Sequence, residues 1–166
     1  MVEGLNLVFL TIMNWFHIFA TVAWFGAITT MFFVLLPAAK IVLEPPVMGK
    51  LMVVLAKRMK VVAYISAFVL IVTGVIMQIL NPSSAEFSFG NRWGMVLIIK
   101  HILVVVMIFV GVYVSESVLP KIIKLMEKGP SPEMGKLQKK QMQLGMFNFI
   151  VSLIILLLSG YMSFLT

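Results

Sequence analysis

Two ionisable residues, Lys100 and His101, stand side by side in the otherwise apolar run LIIKHILVVVMIF at 97–109, and a further histidine, His17, lies in MNWFHIFATVAWFG. These are the only two histidines in a chain that has no cysteine. Without thiols there can be no disulfide, thiolate metal site, iron–sulfur cluster or c-type haem attachment, so a cofactor would be held by His, Met, Lys or backbone. Imidazole is the strongest ligand in that set, and an ionisable side chain deep in apolar sequence usually has a functional partner. A helix-to-helix hydrogen bond is the plainer use of each histidine.

The elements that must position these residues are membrane spans. Of the 166 residues, 61% are hydrophobic and 11% charged, well outside soluble composition. Apolar stretches at roughly 6–36, 61–80, 94–118 and 144–165 each approach the ~20 residues that cross a hydrocarbon core. No strand-like alternation is present, and the expected fold is all-α: one transmembrane four-helix bundle of up-down topology, with helices at roughly 6–40, 47–80, 94–127 and 132–165. Pro45 and Pro46 mark a helix start, as does Ser131 as N-cap before Pro132. The first stretch is too long for a signal-peptide core and no A-x-A-like site follows it, so it is expected to be retained.

The net charge of +7 is an orientation signal rather than a nucleic-acid footprint. Lys40, Lys50, Lys57, Arg58 and Lys60 join the first two spans, and Lys121, Lys124, Lys128, Lys136, Lys139 and Lys140 join the last two. The loop between the second and third spans has Arg92 alone. The positive-inside rule then puts both basic segments in the cytoplasm and both termini outside, in a prokaryotic-type cell (plasma) membrane.

The halves of the chain look alike. His17 precedes Pro37 by twenty positions and His101 precedes Pro120 by nineteen, and a hydroxyl–glycine pair closes each half, Thr73–Gly74 and Ser159–Gly160. A duplicated helix pair would relate the halves by a pseudo-two-fold axis along the membrane normal. At 1.5 Å per residue, His17 lies roughly 18 Å and His101 about 12 Å from the outer surface. On diagonal helices about 11–14 Å apart, the two imidazoles could hold one iron between them, and Gly74 and Gly160 would leave room for a flat macrocycle. The residues thus describe a haem b cradle with His17 and His101 as axial metal ligands. Lys100, with Arg92 as a second cation, would meet a propionate, or else snorkel to lipid phosphate. Asn14 and Thr21, one turn either side of His17, could orient its second nitrogen. Trp24, two turns on, is a packing residue or part of the site. Met13, Met77, Met95 and Met162 leave copper as the alternative cofactor, since thioethers suit Cu(I).

At FHIFATVAWFG, VLIVTG and GMVLIIKHIL the chain resembles the transmembrane domain of the copper-resistance protein D family. The resemblance picks out His17, Trp24, Gly26, Thr73, Gly74, Gly94 and Lys100. It is also similar to the HemJ-type protoporphyrinogen oxidases, small four-helix haem b proteins whose fourth-helix Asn is echoed by Asn148 in MFNFI. The oxidase pattern departs here, lacking an Arg near the end of helix 1 and having Phe149 where it has a Glu.

The function expected from the sequence is a small membrane cytochrome moving electrons between a lipid-phase donor and an acceptor at the outer face. Copper handling and porphyrinogen oxidation are the alternatives. The lipid bilayer is the expected partner, with a quinone or porphyrin as possible small-molecule partners and self-association left open. With no chain of carboxylates through the interior, a proton pump is disfavoured.

Overall fold

The computed structural model describes residues 2–80, 90–129 and 131–165, with side chains from residue 6 onward. The outer loop expected between the second and third spans falls mostly at 81–89, outside the described residues. The described chain is helical apart from short connections: α1 (Val2–Thr30), a π-helical turn at Met31–Leu35, α2 (Leu36–Val42), α3 (Pro45–Leu80), α4 (Arg92–Tyr113), a second π-helical turn at Val114–Val118, α5 (Leu119–Glu127) and α6 (Pro132–Met162). Four helical runs are long and apolar enough to cross a membrane: Asn6–Val42, Pro45–Leu80, Arg92–Glu127 and Pro132–Met162. They are the four spans anticipated, with ends shifted by two or three residues.

Local chemistry sets these ends. The Asn91 side chain accepts a hydrogen bond from Gly94 N–H at 2.6 Å, capping α4. Ser131 does the same for α6 through Met134 N–H at 3.2 Å, with Pro132 in the first turn. After α5 the chain turns at Gly129, whose φ of 97° is a left-handed value that suits glycine.

The π-helical turns are the signature of the fold. Pro37 and Pro120 each lie just inside the helix that follows one, and proline lacks the N–H that an α-helix would bond to the preceding turn. The ladder widens instead, with Leu36 N–H reaching Met31 O and Leu119 N–H reaching Val114 O. Met31 and Val114 stand 83 positions apart, as do Pro37 and Pro120. Sequence matching places His101 opposite His17 in the repeat. The register of the π turns pairs His17 with Lys100 instead, and Trp24 with Met107.

The spans pack as two helical hairpins. α1 lies along α3, and α4 and α5 lie along α6, while α1 meets α6 and α5 meets α3 over shorter stretches. Trp24, Met107 and Val151 form the central buried cluster, with Leu70 and Ala67 of α3 packed against it. A second cluster, Val53, Val118 and Ile122, closes the lysine-bearing end. Large apolar side chains cover the outside, among them Ile41 (85% exposed), Leu157 (73%) and Phe109 (71%). Such a surface is stable against lipid, not water. Thr11, Thr29, Thr73 and Ser159 each donate to the backbone carbonyl four residues back, so their hydroxyls need no external partner. The protein is a multi-pass membrane protein.

Candidate functional site

His17 is held by the second span. Its Nδ1 lies 2.8 Å from Thr73 Oγ1. Thr73 donates its single proton to Val69 O at 2.6 Å, so towards the imidazole it can only accept. His17 Nδ1–H is therefore the donor, and Nε2 carries the lone pair. A Cβ placed on Gly74, the next residue, would sit 3.6 Å from His17 Cε1, so the glycine gives the ring its seat. The partner that fixes His17 is Thr73, not Asn14 or Thr21. Asn14 is exposed, and Thr21 donates to the backbone carbonyl of His17 at 2.8 Å without reaching the ring.

The third span brings a cation to the same place. Lys100 is half-buried and lies within electrostatic reach of His17, as the register of the π turns implies. His101, its neighbour, is exposed and donates Nδ1–H to Leu97 O at 2.8 Å, which gives its neutral ring the same tautomer as His17. Arg92 is exposed in the first turn of α4, two turns from Lys100. A Cβ on Gly160 would meet nothing within 4 Å. The structure thus brings His17, Thr73 and Gly74 together, with Lys100 within electrostatic reach, and leaves His101, Arg92 and Gly160 exposed around them.

Two turns along α1 from His17, the interior holds a second polar feature. Trp24 and Asn148 are both 7% exposed. Asn148 Nδ2 donates to Met107 O at 3.2 Å, over Gly111, but its Oδ1 has no partner, and neither does Trp24 Nε1–H. Both residues border a cavity of about 770 Å³ that runs between the hairpins to the lysine-bearing end. That volume is within the range of small-molecule sites. Its walls are apolar and carry seven methionines, Met31, Met48, Met52, Met59, Met126, Met134 and Met142. None of these is among the four methionines that the sequence suggested for copper.

Near the lysine-bearing end, Glu116 sits in the second π turn. It accepts from Tyr64 OH at 2.5 Å and pairs with Lys60 at 2.7 Å, joining α3 to the third span. On the neighbouring surface Lys140 donates to Tyr113 OH at 2.7 Å. Sequence reasoning missed the first of these clusters. The available signal was Lys60 and Tyr64 one turn apart and Glu116 as the one acid in the third span before its end. Among the described residues no three His, Cys, Asp or Glu side chains gather as a metal site.

No curated protein and no solved structure matches the chain. A family model does, over residues 19–131, which takes in Trp24, Thr73, Gly74, Lys100 and His101 and begins two residues after His17. That match covers more than half of the chain, which therefore belongs to the family described as a domain of unknown function, DUF4149.

Proposed function

We propose that this protein is a small b-type membrane cytochrome whose haem is ligated by His17 and His101. The observation that carries this reading is the shared tautomer of the two imidazoles. Each donates Nδ1–H within the protein, His17 to Thr73 and His101 to Leu97 O, so that Nε2 is the basic nitrogen on both. A haem-ligating histidine has this arrangement, with the far nitrogen anchored so that the ligating one is oriented and more basic. Lys100 adds a cation in the span interior, where a carboxylate of the cofactor would neutralise it. The resemblance to haem-containing four-helix membrane proteins supports the same reading. Bound there, haem b would supply one-electron redox chemistry.

The roles of the chain's own residues follow. Thr73 holds the His17 ring plane, and Gly74 keeps space beside Cε1. Lys100 offsets negative charge, and the apolar shell keeps water from the site. The exposed His101 would come to the iron by a small movement of the third span that keeps its Nδ1–H bond to Leu97 O, since ligand sites often tighten only when occupied. Pyridine haemochrome assay of protein purified from membranes tests the reading. About one haem b per chain is expected, falling steeply in His17→Ala. Colourless protein containing copper would select the alternative instead, for which the methionine-lined cavity supplies soft ligands.

A further inference from the structure

The cavity between the hairpins is a second site, separate from the histidines, and the geometry points to an anionic lipid-like molecule as its occupant, with the head group among Lys40, Lys50 and Lys139 and the apolar chain inside. These three lysines lie at the mouth of the cavity and are exposed. They come from the end of the first span and the starts of the second and fourth. Lys60, the fourth lysine on the wall, is already paired with Glu116. None of the described residues lining the cavity is Asp or Glu. A mouth with three lysines and no lining carboxylate around an apolar interior complements a molecule with a negative head and a hydrocarbon body.

The interior suits such a body. From Lys40 to Trp24 is sixteen residues of helix, about 24 Å, long enough for an extended acyl chain. The walls are methionine and alanine with Ile28 and Phe32, and methionine adapts its shape to an apolar guest at little cost. Trp24 and Asn148, whose Nε1–H and Oδ1 have no partner, line the cavity away from the lysines. By the charge asymmetry of the loops this mouth faces the cytoplasmic leaflet, where anionic lipids are concentrated. The site needs neither histidine and does not depend on haem.

Fluorescence quenching of Trp24 tests the proposal. A variant with Trp15→Phe and Trp93→Phe, reconstituted in phosphatidylcholine nanodiscs and excited at the red edge where tyrosine does not absorb, has Trp24 as its only tryptophan. It is titrated with dibromostearate, dibromo-phosphatidylglycerol, and the neutral probes dibromostearyl alcohol and dibromo-phosphatidylcholine. Saturable quenching is expected at a mole fraction at least about fivefold lower for an anionic probe than for its neutral counterpart, a bias of about 1 kcal/mol or more. Saturation by the fatty acid alone identifies a single-chain ligand, and by the phosphatidylglycerol alone a phospholipid. Replacing Lys40, Lys50 and Lys139 with Gln should remove the preference, and Ala67→Phe, which fills the cavity, should weaken quenching by every probe. If Ala67→Phe fails to fold, the lysine variant decides. Equal quenching by neutral and anionic probes, an unchanged preference in the lysine variant, or quenching that rises only in proportion to probe content would overturn the proposal.

Discussion

A single hydroxyl decides how His17 can be used. Thr73 already spends its proton on Val69 O, so it can only accept from the imidazole, and this fixes both the tautomer and the ring plane. Thr73→Val keeps the shape and loses the acceptor. In that variant haem affinity, measured by Soret titration of the apoprotein, is expected to fall by about 10–100-fold, while Thr73→Ser stays near wild type. Gly74 offers a graded test of the ring's seat. A methyl group at 3.6 Å is in ordinary contact, so Gly74→Ala should fold and bind normally. Gly74→Leu must push the ring aside and should lose most of its haem while circular dichroism stays helical. At this scale the sequence was informative about residue type, since two histidines and a lysine in apolar runs are conspicuous. It did not reveal that Thr73 orients His17, because that pair is 56 positions apart and depends on how α1 lies on α3. Asn14 and Thr21 were plausible by spacing along one helix, but the side chain that mattered was on another.

Among the elements, span lengths and starts were legible because they depend on local chemistry: apolar runs, the proline pair at 45–46, and Ser131 before Pro132. The π-helical turns were not, although the prolines that cause them stand out in the sequence as repeat markers. A proline can kink, end or widen a helix, and only the surrounding packing selects among these. One residue of register follows from that choice, and with it the pairing of His17 with Lys100 rather than His101. The first π turn also creates a tight contact. Phe32 lies against Gly145 of α6, where an added Cβ would come within 2.8 Å of Phe32 Cζ. Gly145→Leu should therefore displace the π turn from α6, at a cost of roughly 1–3 kcal/mol. Thermal unfolding in detergent should show a lower midpoint for Gly145→Leu than for Gly135→Leu, which has open space at its Cβ.

The whole molecule is two hairpins joined along a shared interior, with a histidine centre towards one end and a methionine-lined cavity towards the other. All-α architecture and membrane insertion could be read from composition and the long apolar runs, but the cavity could not, since its lining comes from all four spans. Its methionines are scattered across all four spans in the sequence. Charge asymmetry predicts the direction of the two ends. In Cys-substituted protein, Ser88→Cys should label with impermeant maleimide from outside intact cells, and Lys50→Cys only after permeabilisation. The reverse pattern would invert the molecule and place the cavity mouth at the outer face.

The central claim, one haem between two histidines, is tested most directly by the electron paramagnetic resonance spectrum of the oxidised protein beside those of His17→Ala and His101→Ala. Wild type should be low-spin and six-coordinate. His101→Ala, retaining the Thr73-anchored ligand, should become high-spin with haem still bound, and His17→Ala should retain little haem. A low-spin spectrum unchanged in His101→Ala, or a wild-type protein with no haem signal, would contradict the account.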